Sequence, residues 1–188
     1  DHRDLHSFPT RRSSDLRDVG LVDAPVAGQG VYSLERGDFW MLGGGDATVL
    51  DRFRAPAGTF CERVLHCGPL GSGAVLKLAH NVATYIGYLA IVEAEELARK
   101  AGVKPGLLSE VTGASGTRSA AMKLLLDVRG RRERGDPDAF GDAQMETYAA
   151  VLEKDLRVAA EVAGKLGVEL PGAAAAMRAS RFVYGLGD

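Results

Sequence analysis

The stretch GPLGSGAVLKLAHNVATYIGYLAIVEAEELARKAG, residues 68–102, decides the fold of this 188-residue chain. Apolar residues recur along it at helical spacing: Val82, Ile86, Leu89 and Leu97. This period predicts one long helix over about 71–100, with Gly102 as its C-terminal stop. Because the first two thirds of this helix are apolar nearly all round, we expect other elements or a second subunit to bury it.

Upstream of this helix the pattern indicates short strands. Three apolar runs predict strands at 19–28, 39–45 and 63–68, and Asp46 is a predicted cap for a helix over 47–57. Downstream, further helices are predicted at about 104–112, 118–129, 143–166 and 171–185. Three strands followed by helices predict an α/β remnant at 17–69 and an all-α domain at 70–188.

The first sixteen residues, DHRDLHSFPTRRSSDL, have neither a helical nor a strand period. Their composition alone predicts a disordered tail. Along their whole length they also resemble the conceptual translation of a short-read sequencing adapter. Residues 1–16 are therefore interpreted as an artefact, and the coding sequence is expected to have been interrupted just before Arg17.

Composition and charge limit the possible functions. The chain has 23 basic and 25 acidic residues, a net charge of −2 and a pI of about 6.1. This balance gives no support for nucleic-acid binding or for a polybasic membrane surface. We expect no apolar run to approach the roughly 20 residues that span a bilayer, and no signal peptide is visible. Cys61 and Cys67 lack zinc-site spacing, so the expectations are free thiols, no metal and a cytoplasmic location.

The pattern Gly68-x-x-Gly71-x-Gly73-x-x-x-Lys77-x-x-His80-Asn81 carries the most chemical information. Glycines before a helix allow a ligand to approach the backbone, and the N-terminus of a helix attracts anions. Lys77 and Asn81 are four residues apart and project from one face of the helix. Apolar surroundings can lower the pKa of a lysine toward the range used in proton transfer. The alternative is a surface lysine whose stem covers apolar atoms.

Three motifs, in this order, resemble the β-hydroxyacid dehydrogenase family. Asp23-Ala-Pro-Val-Ala-Gly28 resembles its substrate-binding strand and loop, Gly68–Asn81 its catalytic signature, and Lys154-Asp155-Leu156 its late Lys-Asp-Leu motif. The family includes 3-hydroxyisobutyrate, tartronate-semialdehyde and 6-phosphogluconate dehydrogenases. The resemblance extends from about Val19 to the C-terminus and implies that the strands are the end of a Rossmann-type domain.

The resemblance also implies roles for individual residues. Lys77 would be the general acid/base, and Asn81 would bind the substrate beside it. Backbone N–H groups around Ala27, Gly28 and Gln29 would hold the substrate carboxylate. Lys154 would lie near the nicotinamide of NAD or NADP, although a solvated lysine paired with a neighbouring acid is the alternative.

The chain departs from the family pattern at two places. Ala27-Gly28-Gln29 stands where the family usually has Ser-Gly-Gly, so a hydroxyl contact to the substrate carboxylate is lost. This departure bears on the identity of the substrate more than on the type of reaction. His80 resembles the 6-phosphogluconate branch, but the helical tail is too short for that branch, and His80 is interpreted as a packing residue.

The implied reaction is the NAD(P)-dependent interconversion of a small β-hydroxyacid and its semialdehyde or keto form. The dinucleotide-binding pattern G-x-G-x-x-G does not occur in the 188 residues. This polypeptide alone is therefore expected to bind NAD(P) weakly and to be nearly inactive. The alternatives are a non-catalytic helical dimerisation module and a fragment of an enzyme similar to 6-phosphogluconate dehydrogenase. A homodimer or higher homo-oligomer is expected in either case.

Overall fold

The computed structural model describes residues 19–28 and 31–187 of the chain. Its contacts divide the chain into two compact units, of which the first ends at His80 and the second begins at Asn81. The boundary falls within the long helix that the sequence predicts. The interpretation of residues 1–16 as an artefact lies outside the described residues.

The first unit is built on a four-stranded sheet whose central strand is β3. β1 and β2 pair with β3 in antiparallel fashion, and β4 pairs with it in parallel. The elements in chain order are β1 (Val22–Asp23), β2 (Val26–Ala27), α1 (Val31–Arg36), β3 (Trp40–Gly45), α2 (Ala47–Ala57) and β4 (Arg63–Gly68).

The strand predicted over 19–28 is two strands of two residues each, which corrects the sequence-based expectation. Pro25 lies between them and has no N–H to donate to a strand ladder. Its carbonyl oxygen still accepts the N–H of Leu42 at 2.8 Å, so the segment continues along β3. Helix α1 lies between the first two predicted strands and is an element that the sequence patterns did not predict.

The remaining elements of the first unit agree with the sequence patterns. The Asp46 carboxylate accepts the N–H groups of Thr48 at 2.8 Å and Val49 at 3.2 Å, which confirms the predicted cap of α2. Leu50 of α2 is fully buried in a core between helix and sheet, formed with Phe39, Met41, Ala57, Cys61 and Val64.

Trp40 is fixed at the start of β3 by two contacts. Its indole N–H donates to Glu62 at 3.0 Å, and the Arg63 guanidinium lies 5.3 Å from its ring centroid. The aromatic ring is therefore held by a cation–π contact to the first residue of β4 and by a hydrogen bond to the residue before it.

Helices make up the rest of the chain. They are α3 (Ser72–Lys100), α4 (Leu107–Ala114), α5 (Ala120–Glu133), α6 (Asp142–Lys165), α7 (Pro171–Arg178) and α8 (Ser180–Val183). Two expectations are corrected here. The helix predicted to end at about Arg129 continues to Glu133, and the single helix predicted over 171–185 is divided at Ala179.

The core of the second unit forms around α6, whose inner face packs against α7 and α8. Three large α6 side chains are almost completely buried: Met145, Leu152 and Leu156. Ile91 and Val92 from the C-terminal half of α3 join the same core. The apolar period in residues 143–166 therefore predicted the central helix of this unit correctly.

Helix α3 is long and apolar enough, by length and composition alone, to cross a membrane. This corrects the expectation that no apolar run approaches that length. A core helix of a soluble protein passes the same test, and 22% of the apolar window of α3 is buried within the described chain. The described residues thus provide only part of the expected burial of α3.

Candidate active site

The glycine-rich start of α3 is occupied by a side chain of the protein itself. The Asp23 carboxylate accepts the N–H of Gly71 through Oδ1 at 2.6 Å and that of Ala74 through Oδ2 at 2.7 Å. A carboxylate is stabilised at this end of a helix because the exposed N–H groups and the helix dipole favour negative charge. The sequence suggested that a ligand would approach here, and in the structure Asp23 takes two of the available N–H groups.

Two glycines leave the space that this carboxylate needs. A Cβ on Gly73 would lie 2.7 Å from Oδ2 of Asp23 and would overlap the carbonyl oxygen of Leu42. A Cβ on Gly44 would overlap Oδ1 of Asp23. Gly73 of the second motif and Gly44 of β3 therefore have a packing role, because they bring β1, β3 and the first turn of α3 close together.

Lys77 lies on α3, three residues after Ala74, and its side chain is half-buried. Asn81 follows four residues later on the same helix. This spacing puts the two residues on one face of the helix, as the sequence predicted.

The predicted carboxylate-binding segment is described only in part. Ala27 belongs to β2 and is paired with Trp40, and Gly28 follows it. A Cβ on Gly28 would lie 2.8 Å from the Cβ of Ser33 and 2.9 Å from that of Phe39, so this position must be glycine for packing reasons. Gln29 lies outside the described residues.

Asn81 is buried and bound to a carboxylate of the second unit. Its Nδ2 donates to Oδ2 of Asp155 at 2.8 Å, and the hydroxyl of Tyr85 donates to the same oxygen at 3.2 Å. Because an ionised carboxylate can only accept hydrogen bonds, the amide nitrogen of Asn81 must be the atom that faces it. Asp155 thereby fixes the orientation of the Asn81 side chain.

Lys154 contacts the other oxygen of the same carboxylate. Its ammonium lies 2.7 Å from Oδ1 of Asp155, and 59% of the lysine side chain is exposed. This is the ion pair with a neighbouring acid that the sequence left open as an alternative. The structure thus brings Asn81 and Lys154, which are far apart in sequence, to one carboxylate.

The roles of Asp23 and Asp155 were missed at the level of sequence. Asp23 acts on residues 48 and 51 positions away, and Asp155 on a residue 74 positions away, so no local pattern reveals either contact. Both aspartates nevertheless lie inside the motifs that carry the family resemblance. Their presence in those motifs was the available signal.

The phenol groups near Asp155 are held in the neutral form. Burial raises the pKa of Tyr85, and the negative charge of Asp155 raises it further. Burial is also the main reason that the pKa of Tyr184 is raised, with smaller contributions from neighbouring tyrosines and from Asp155. Tyr85 is therefore a hydrogen-bond donor to Asp155 at neutral pH and has no tendency to ionise.

Metal-binding clusters and reactive thiols are weaker candidates for a functional site than the residues around Asp23 and Asp155. Among residues 19–28 and 31–187, no three His, Cys, Asp or Glu side chains are grouped so that they could hold a metal ion. Cys61 and Cys67 are both free. Burial, followed by the charge of Asp23, raises the pKa of Cys67, which makes its thiol a weak nucleophile at neutral pH.

Comparison with known proteins identifies a family. Residues 71–185 match the family model described as the NAD-binding domain of NADP-dependent 3-hydroxyisobutyrate dehydrogenase. An uncharacterized oxidoreductase of Mycobacterium tuberculosis is 30% identical over 171 residues, which cover 90% of this chain and 56% of the relative. A probable 3-hydroxyisobutyrate dehydrogenase of the same organism is 30% identical over 172 residues, which cover 91% of this chain and 55% of the relative. The chain therefore spans about half the length of these relatives.

A solved structure shows the same fold. The Mycobacterium tuberculosis 3-hydroxyisobutyrate dehydrogenase determined with L-serine matches with a TM-score of 0.69 and 26% identity, covering 87% of this chain and 55% of that one. Its likeness includes the short sheet as well as the helices. On these findings the chain belongs to the 3-hydroxyisobutyrate dehydrogenase family of NAD(P)-dependent oxidoreductases.

Proposed function

We propose that this chain provides the acid/base and substrate-binding part of an NAD(P)-dependent β-hydroxyacid dehydrogenase. The observation that carries the proposal is the Asp155 carboxylate, which holds Asn81 at 2.8 Å and Lys154 at 2.7 Å. One residue predicted to bind substrate and one predicted to lie beside the cofactor therefore share a single anchoring group. Family membership supports the same reading.

The proposed chemistry requires one proton transfer from the protein. As the hydroxyacid is oxidised, its carbinol carbon gives up a hydride and its hydroxyl gives up a proton. Bound NAD(P)⁺ supplies the hydride acceptor. Lys77, as the neutral amine, takes the hydroxyl proton, and in the reverse reaction it returns that proton to the carbonyl oxygen.

The other site residues bind and orient. Backbone N–H groups around Ala27, Gly28 and Gln29 hold the substrate carboxylate, and Asn81 holds the reacting end near Lys77. A buried amide that is fixed by a carboxylate keeps a single orientation, which favours a productive substrate geometry. Asn81 orients the substrate as a neutral amide, so this role involves no change of charge.

Lys154 is a suitable group for the cofactor end of the site. Its exposed ammonium offers donors, and NAD(P) presents amide and phosphate oxygens that accept hydrogen bonds. Whether the cofactor is NAD or NADP is left open by this arrangement. Because the 188 residues contain no G-x-G-x-x-G pattern, we expect this polypeptide alone to bind either dinucleotide weakly, as calorimetry would show.

The substrate proposed is a small β-hydroxyacid. The related mycobacterial enzyme was determined with L-serine, which is itself a β-hydroxyacid. Ala27 removes the side-chain hydroxyl that the family usually offers at this position, so recognition of the carboxylate rests on backbone groups. 3-Hydroxyisobutyrate and L-serine are accordingly the first compounds to test.

The proposed assembly is a cytoplasmic homodimer or higher homo-oligomer. Residues 19–28 and 31–187 bury 22% of the apolar window of α3, and a second copy would cover apolar surface of this helix that is otherwise exposed to water. The same observation favours a second candidate function, a helical dimerisation module without catalysis. The proposed domain limits are 17–69 for the sheet and 70–188 for the helices, with 1–16 as an added tail.

One experiment separates these functions. The chain is joined to the N-terminal half of the mycobacterial 3-hydroxyisobutyrate dehydrogenase, and oxidation of both compounds is followed by nicotinamide absorbance. Loss of a general acid/base should lower kcat about 100- to 10,000-fold in Lys77→Ala. The matched control is Lys123→Ala, which removes an exposed lysine paired with Asp127 and should leave kcat unchanged.

The dehydrogenase function and the dimerisation module predict different outcomes of this experiment. If Lys77→Ala keeps the parental rate, the proposed role of Lys77 is wrong. If the fusion dimerises and binds NAD(P) but oxidises neither compound, the dimerisation module is the better description.

A further inference from the structure

Asp23 joins two segments of the first unit that are far apart in sequence. It lies at the end of β1, four residues before Ala27, and both of its carboxylate oxygens accept N–H groups from the first turn of α3. Distances of 2.6 Å and 2.7 Å are at the short end for N–H···O bonds, as expected where the acceptor is charged.

Two neighbouring glycines leave the space that the Asp23 carboxylate occupies. Gly44 on β3 and Gly73 on α3 both lack the Cβ that would collide with Asp23. A site fitted on two sides to one side chain is unlike an ordinary exposed helix cap. In the same unit Asp46 caps α2 through neighbours two and three residues away, which is local and solvent-exposed.

We propose that Asp23 is a positioning residue that sets the distance between the Ala27–Gly28 segment and Lys77. The proposal rests on the proposed function, in which that segment holds the substrate carboxylate and Lys77 exchanges the proton. Asp23 touches neither substrate nor cofactor. It acts by holding β1, and with it the following four residues, against the helix that carries Lys77.

The charge of Asp23 has a second effect on substrate binding. The N-terminus of a helix attracts anions, but here an internal carboxylate already uses the N–H groups of Gly71 and Ala74. A second carboxylate at the same place would be repelled. The substrate carboxylate is therefore directed to the backbone around Gly28.

The test compares Asp23→Ala with Asp46→Ala in the full 188-residue chain, because each variant removes one helix-capping carboxylate from the first unit. Amide hydrogen exchange is measured by NMR. In Asp23→Ala we expect exchange to become about tenfold faster or more at Gly71 and Ala74 and also at Ala27 and Gly28. In Asp46→Ala the faster exchange should be confined to the first turn of α2. If Asp23→Ala leaves Ala27 and Gly28 protected as in the parent, the positioning role is refuted.

A binding measurement on the same proteins tests the link to function. 3-Hydroxyisobutyrate is titrated while the amide signals of Gly28 and Lys77 are followed. Asp23→Ala should weaken binding about tenfold or more, while Asp46→Ala should bind as the parent does. Equal weakening in both variants would mean that Asp23 contributes stability only, and it would overturn the proposal.

The two proposals can fail separately. If the parent does not bind the hydroxyacid but Asp23→Ala releases both segments, the proposed substrate class is wrong and the structural link through Asp23 is upheld.

Discussion

The two units each contain one carboxylate that organises a predicted site, but they use it differently. Asp23 in the first unit binds backbone N–H groups and is enclosed by glycines. Asp155 in the second unit binds the side chains of Asn81, Tyr85 and Lys154. The first carboxylate therefore fixes the position of a helix, and the second fixes the orientation of side chains.

This difference predicts different sensitivities to substitution. A site closed around backbone atoms has no flexible neighbour that can move aside, so the first unit should be most sensitive to added volume. A site built from side chains can repack, so the second unit should be most sensitive to the loss of the hydrogen-bonding group itself.

The largest effect is expected from Gly73→Ala. The added Cβ would overlap the Leu42 carbonyl oxygen and crowd Asp23, and neither backbone segment can retreat without breaking β3 or α3. We expect the free energy of unfolding to fall by about 3 kcal/mol or more, as for severe overpacking. Urea denaturation followed by circular dichroism measures this loss.

Gly164→Ala is the matched control for this substitution. Gly164 is also helical, near the end of α6, but a Cβ there would meet no heavy atom of the described residues within 4 Å apart from its chain neighbours and the backbone of its own helix. The stability should be unchanged or rise by up to about 1 kcal/mol, because alanine is the better helix former. Comparable losses in both variants would show that the first unit is not unusually closed.

A smaller effect is expected from Asp155→Ala. The substitution leaves the buried Asn81 amide without its carboxylate acceptor, which should lower the free energy of unfolding by about 2 kcal/mol. Asp127→Ala is the control, because Asp127 is more than half exposed and pairs with the exposed Lys123 on the same helix. That control should change stability by less than about 0.5 kcal/mol. Equal effects would show that Asp155 is a surface acid with no organising role.

The smallest effect on stability is expected from Tyr184→Phe at alkaline pH. The pKa of Tyr184 is raised above its ordinary value of 10.0, chiefly by burial, so the folded chain favours the protonated phenol. The stabilisation is fully present below pH 10.0 and is lost as the pH rises above it. Thermal unfolding midpoints measured across this range should fall less steeply in Tyr184→Phe. The difference should reach at most about 1.4 kcal/mol per pH unit, the value for one proton. Parallel profiles would show that Tyr184 ionises freely in the folded chain.

Much of the helical unit could be predicted from sequence, because its period is strong and its stops are chemically distinct. The predicted limits of α3 and α6 agree with the structure to within one or two residues. Gly102 ends the first of these helices, as expected, in the left-handed conformation with a φ of 77°. By contrast, no glycine or proline marks the break at Ala179, so the sequence patterns did not predict it.

The sheet was harder to predict, for physical reasons that particular residues illustrate. Residues 19–28 have the composition of one strand, yet Pro25 divides them and β1 and β2 depend on pairing with distant β3. The glycines at 71 and 73 were read as an opening for a ligand, because a sequence cannot show that Asp23 lies against them. Local patterns predicted the elements, and the contacts that build the site are long-range.

The two contacts that fix the Trp40 side chain have a practical consequence. This is the only tryptophan of the chain, and both groups that fix it, Glu62 and Arg63, belong to the same unit. Four of the five tyrosines, by contrast, come after residue 80. Indole fluorescence therefore reports on the sheet and phenol absorbance mainly on the helices, so a single unlabelled sample can reveal whether the two units melt together or one after the other.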